Sequence, residues 1–119
     1  MDLPSSMVKP LSVTKKISAI EARLAAVKES VLAGQTPDEQ FSLLERMLDE
    51  VVADLHNHPS VVIYANSVLA IAENACKLPT AAMKVRFMTA AQDRLRDLSV
   101  FLKCRTREME AFVNKKTAG

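Results

Sequence analysis

The apolar positions of this chain recur at intervals of three and four residues along distinct stretches, and those stretches predict helices. Val13, Ile17, Ile20, Leu24, Val27 and Val31 are spaced 4, 3, 4, 3, 4. That seam predicts a first helix over 12–33, with Lys16, Glu21, Arg23, Lys28 and Glu29 on the opposite side. Gly34 follows, free to take the left-handed conformation that closes a helix. The seam lasts only about three heptads, too few to specify a long coiled coil.

Phe41, Leu44, Leu48, Val51 and Leu55 carry the same spacing, and Leu43, Met47 and Val52 widen it to the stripe that a globular bundle buries. Thr36-Pro37-Asp38-Glu39 predicts how this second helix starts. Thr36 is the N-cap, Pro37 the first helical residue, and Glu39 completes a capping box. Asp38 and Glu39 also suit the positive end of the helix dipole. The helix is expected to stop at His56-Asn57-His58, because Pro59 disfavours helical angles at His58.

A third helix is predicted from Pro59 to Lys77. Val61, Val62, Ile63, Tyr64, Val68, Leu69 and Ile71, with alanines between them, cover most of its circumference. Such a helix is buried or spans a membrane. Asn66, Ser67, Glu73 and Asn74 interrupt a run already near the minimum for spanning, so a central bundle helix is the first reading and an exposed docking face the second. Leu78-Pro79 ends it.

The remaining stretch, 80–116, holds no proline or glycine. Thr80 is the predicted N-cap. Met88, Ala91, Leu95, Leu98, Leu102, Met109 and Phe112 form the seam, Arg105 fills one of its slots, and Val85, Phe87, Phe101 and Val113 flank it. Unbroken, this helix would be about 55 Å long against about 30 Å for each of the others. It therefore either breaks or projects beyond its companions by several turns. Short connections favour antiparallel neighbours. The predicted fold is all-α: an antiparallel up-down-up-down four-helix bundle with a long fourth helix. Residues 12–119 form its single domain, and 1–11 are a flexible lead, with Val8 or Leu11 tucked against the bundle.

Composition adds limits. At 119 residues with a formal net charge of +2, the chain is long enough for one core without staples and is not a strongly basic nucleic-acid binder. The charge is unevenly spread. Residues 36–58 carry six acids against Arg46, whereas 80–116 carry nine bases against four acids. The simple expectation sets helices two and four side by side with complementary flanks. The sharper one turns the basic face toward an acidic partner or a phosphate backbone. Interleaved acids, one tyrosine and no tryptophan weigh against nucleic acid.

No secretory signal is evident in the first residues, and no prenylation cysteine near the last. On a straight fourth helix Cys104 would lie about 36 Å from Thr80, and a disulfide requires Cα atoms within about 7 Å. Cys76 and Cys104 are therefore expected as reduced, small core residues of a cytoplasmic protein, with the nucleus left open.

Candidate chemistry is sparse. Asp54, His56 and His58 alternate, but positions two apart on a helix face different ways, so the histidines are expected to meet the helix dipole and its free carbonyls, not a metal. Histidine phosphotransfer modules share a mid-helix histidine with a lysine and a small residue one turn later. Here Pro59 follows His58 directly and Ser60 lies four residues after His56, so that pattern is not met. Neither cysteine is predicted beside a base, and no glycine loop can cradle a phosphate. No catalytic residue, cofactor site or metal ligand is predicted. The chain is read as a non-enzymatic adaptor or subunit, with no membrane contact. It would bind a partner helix or a second copy through Leu102, Arg105, Arg107, Met109, Phe112 and Val113. The alternative is a nucleic-acid-binding accessory protein using the same basic face.

Overall fold

Helices α1 (Pro10–Leu32), α2 (Asp38–Asp54), α3 (Pro59–Ala75), α4 (Ala81–Cys104) and α5 (Thr106–Ala118) account for most of this computed structural model, which describes residues 10–35 and 37–118. The first four form an antiparallel four-helix bundle in which α4 is the longest helix. Neighbours around the bundle are α1 with α2, α2 with α3, α3 with α4, and α4 with α1; α3 and α4 pack most extensively.

The predicted seams are the core. Val13, Ile17, Ile20, Leu24, Val27 and Val31 of α1 are buried, as are Leu44, Leu48, Val51 and Leu55 of the second stretch and Met88, Ala91, Leu95, Leu98 and Leu102 of α4. Apolar area removed from water contributes roughly 1.5–3 kcal/mol for each side chain of this size, so matching four such stripes outweighs the weak preferences of individual residues. The third helix differs from expectation. It occupies a corner, not the centre: Val61, Ala65, Val68, Ala72 and Ala75 face inward while Ile63 is 65 % exposed.

Helix ends follow local chemistry. α1 and α2 both close in the Schellman pattern, in which backbone N–H groups beyond the helix reach back to its last free carbonyls. The Gly34 N–H donates to the Val31 carbonyl (3.1 Å) and the Gln35 N–H to Ser30 (3.0 Å). Likewise the His56 N–H donates to Ala53 (3.0 Å) and the Asn57 N–H to Val52 (2.9 Å). Gly34 has φ +81, whereas His56 and Asn57 hold φ of 51 and 57 with ordinary side chains. Substitutions at the two equivalent positions are expected to act with opposite sign. Gly34→Ala, where a Cβ meets nothing within 4 Å but the backbone is left-handed, lowers stability by about 1 kcal/mol, and His56→Gly raises it by about 0.5 kcal/mol. Urea midpoints of the two variants check this.

Other ends depart from the sequence reading. Pro37 is the N-cap of α2, not its first helical residue; its carbonyl receives the Phe41 N–H (2.9 Å). Thr36 and its predicted cap lie outside the described residues, as do residues 1–9 of the expected lead, whereas Pro10 already opens α1. Pro59 is the first residue of α3 as predicted, but the cap is His58, whose Nδ1 accepts the Ser60 N–H (3.2 Å). The His58 ring thus serves the start of the next helix, while its backbone N–H donates to the Leu55 carbonyl at the end of the last (3.1 Å). Thr80 caps α4 as predicted, accepting the Met83 N–H (3.2 Å).

The acidic helix does not lie beside the basic one. α2 contacts α1 and α3, and α4 stands at the opposite corner. Helix order around the bundle decides this, since an up-down bundle with short turns places the second and fourth helices diagonally. Two acids of α2 meet Lys16 of α1 instead: Lys16 Nζ pairs with Glu50 (2.8 Å) and Asp54. Hydrogen bonds from Lys16 to Asp54 and then Glu50 hold its ammonium above its ordinary value of 10.5. A base whose pKa rises on folding stabilises the fold fully below its unfolded value, and that contribution disappears as pH climbs through the raised one. Both acids keep solvent contact, so the effect is below about 1 kcal/mol. Lys16→Met is expected to remove this alkaline part of the stability curve, read as the difference in Tm between the two proteins from about pH 9 to about pH 12.

Candidate interaction site

The predicted long fourth helix breaks. α4 ends at Cys104, Arg105 adopts φ −118 and ψ 33, and α5 starts at Thr106. The longest dimension of the molecule is 49 Å, shorter than the roughly 55 Å that an unbroken rod over 80–116 needs. No proline or glycine causes the break. Thr106 makes it tolerable, because its hydroxyl reaches the Leu102 and Lys103 carbonyls (3.0 Å each). Those carbonyls would otherwise lose their partners at a helix end, and such back-bonding bends helices. The gain lies in burial. Met109 is 0 % exposed and Val113 6 %, one helical turn apart on α5. Their burial contributes roughly 1.5–3 kcal/mol each, more than the roughly 0.5–1.5 kcal/mol of each interrupted backbone bond.

An aromatic ladder joins α5 to the bundle. Phe112 meets His58 edge-on, with ring centroids 4.6 Å apart. His58 also lies 5.9 Å from Phe101, which lies 5.8 Å from Tyr64. Two cations cover the ladder's margins: the Arg105 guanidinium sits 5.7 Å from the Phe101 ring and the Lys116 ammonium 5.7 Å from Phe112. The tilted and edge-on geometries suit the ring quadrupoles. His58 therefore caps α3 through one ring atom and receives α5 on its edge. Beyond this ladder and the two buried side chains, α5 touches α1 and α4 only sparingly.

The six residues expected to form a docking strip divide sharply. Leu102 is 2 % exposed and lies with Met109 and Val113 in the core, and Phe112 is half-buried. The chain covers its own apolar stripe, which corrects the expectation of a projecting, uncovered helix. Arg105 and Arg107 are exposed, as is Lys103. They edge an open concavity of about 610 Å³ on the outer side of the break, shared with Cys104, Thr106 and Glu108. One continuous strip of chain lines it, so it cannot enclose a small molecule as a ligand pocket does. A cleft between Glu21 and Leu24 of α1 and Gln92, Leu95 and Arg96 of α4 holds only about 130 Å³, below the roughly 300 Å³ of small ligand sites.

Charge at this corner is only partly neutralised from within. Arg105 pairs with Glu108 (3.1 Å), and farther up α4 Arg94 pairs with Asp97 (3.6 Å) and Arg96 with Asp93 (3.7 Å). All are exposed pairs one turn apart, each contributing well under 1 kcal/mol and easily exchanged for another partner.

Both cysteines are free: Cys76 is half-buried and packs against the core, whereas Cys104, expected there too, is exposed. Burial pushes the Cys76 thiol up, which disfavours the nucleophilic thiolate. Among the described residues no group of three or more His, Cys, Asp or Glu side chains could hold a metal ion, and no helix is long and apolar enough to cross a membrane. Comparison with protein-family models, curated proteins and solved structures found no match.

Proposed function

We propose that this chain is a non-catalytic helical interaction protein, an adaptor or subunit, that meets an acidic partner at the corner where α4 passes into α5. One observation carries this reading: exposed cations cluster where the bundle is least tied down, diagonally across from the acidic α2 that could have neutralised them. Lys103, Arg105 and Arg107 are the recognition residues, and Phe112 contributes its outer edge. Leu102, Met109 and Val113 support the surface from beneath and face a partner only when α5 lifts. The proposed setting is cytoplasmic, with the nucleus open.

The alternative is a nucleic-acid accessory role for the same cations. Two features count against it: Glu108 and Glu110 interleave with them, and Tyr64, Phe101 and Phe112, the rings of this corner, are engaged in the ladder and not free to stack on bases. The triple variant Lys103→Glu, Arg105→Glu, Arg107→Glu tests both. Proteins captured by the wild type and lost by the variant support the adaptor reading; identical capture by the two overturns it. Fluorescence anisotropy with a labelled single-stranded oligonucleotide decides the alternative, which demands binding that weakens steeply with salt and vanishes in the variant.

A further inference from the structure

We propose that two copies of this chain exchange α5, each straightening at Arg105 so that its α5 closes the end of the other's bundle. The hinge is a single residue. Every residue from Ala81 to Cys104 and from Thr106 to Ala118 is helical, and no proline or glycine lies between them. Helical bonding survives on both sides: the Arg105 N–H donates to Phe101 (3.0 Å) and the Met109 N–H to Arg105 (2.9 Å). Straightening recovers the bonds interrupted at the break and gives one helix of about 57 Å. A hinge this short, held against its own helical preference, is the arrangement that favours exchange.

The occupant is a second copy because the bundle end is already fitted to this helix. Met109 and Val113 bury there, and Phe112 meets the edge of His58. Another α5 reproduces those contacts without any new surface, and the two-fold arrangement closes after two chains. The monomer competes through tethering, which gives its own α5 an effective concentration in the millimolar range. The exchanged dimer is therefore expected to become substantial toward about 1 mM and to be scarce at about 10 μM. Exchange also brings two sets of Lys103, Arg105 and Arg107 together at the hinge, a repulsion that salt screens. Added salt thus favours the dimer, whereas it weakens binding of an acidic partner. The exchange needs no such partner, so either proposal can fail alone.

Sedimentation equilibrium of the full chain, wild type beside Arg105→Ala/Thr106→Ala, tests the hinge. The variant removes the hydroxyl that caps the break and supplies the best helix former, so its dimer dissociation constant is expected to fall by at least about tenfold. An unchanged constant, or no dimer at about 1 mM in either protein, overturns the proposal. A second measurement leaves the hinge intact. Ser60→Cys and Lys116→Cys flank the His58–Phe112 contact, in a Cys76→Ala/Cys104→Ser background. The dimer fraction is treated with a short bismaleimide and run on a denaturing gel. Exchange predicts links between chains and a dimer band. Links confined within chains mark an ordinary surface dimer and overturn the proposal.

Discussion

Leu98→Ala is expected to lower the unfolding free energy by about 3 kcal/mol, as large-to-small changes at fully packed sites do. Leu98 is 0 % exposed and lies on the helix that packs against both α3 and α1. Shortening it removes apolar area from the core and leaves a void that the flanking helices can collapse into only partly. A small domain has about 5–15 kcal/mol in total, so the loss is a large fraction, and Tm is expected to fall by roughly 12 °C. Urea unfolding followed by circular dichroism measures it, with the slope against denaturant unchanged if the transition stays cooperative. Ile63→Ala is the control. Ile63 is equally apolar but exposed, and its removal is expected to change stability by no more than about 0.5 kcal/mol. Equal losses at the two sites would mean that α3 buries Ile63 against something in solution.

The contrast between those two residues shows what periodicity could and could not convey. Leu98 sits in a seam whose partners recur on both sides, and α1 and the second stretch show the same agreement between spacing and burial. Ile63 belongs to a helix that is apolar nearly all round, where no stripe stands out and the sequence offers no preferred inward face. Burial there follows from the flanking helices. A break was one of the two outcomes the length of 80–116 allowed, but that it occurs, and at Arg105, was hidden for a related reason. Its residues are ordinary helix formers, and the force that bends the chain comes from Met109 and Val113 finding cover at the bundle end. Arg105 in a seam slot and Thr106 after it were the available signals, but both residues are also common in continuous helices. His58 was legible as a non-helical position before Pro59. Its cap to Ser60 and its contact with Phe112 depend on a rotamer and on a partner more than fifty residues away. The diagonal placement of α2 and α4 could have been deduced from connection lengths alone; charge complementarity is too weak, pair by pair, to override that topology.

Met109→Asp is expected to release α5 while the four-helix body stays folded. Met109 is wholly enclosed, and a carboxylate in that position would lose its water without gaining a partner, which is avoided most easily by undocking the helix. Undocking caps the damage. The most that the substitution can remove is the free energy that holds α5 down, about 2–4 kcal/mol from two apolar side chains and one ring contact less the entropy of ordering the segment. Hydrogen exchange read by mass spectrometry is expected to show amides of 106–116 losing nearly all protection while those of α1 to α4 keep theirs, because local openings track the stability of the unit that opens. The opposite pattern, an even loss along the whole chain, would show that α5 unfolds with the core and is no separable cap. Leu98→Ala provides the reference for that pattern, since its effect should lower protection in every helix. The released helix would also fail to close a second copy, because the contacts that dock α5 at home are the ones that would dock it across. Loss of the concentrated dimer in Met109→Asp, with the body intact, would tie exchange to this docking surface and to no other face of the bundle.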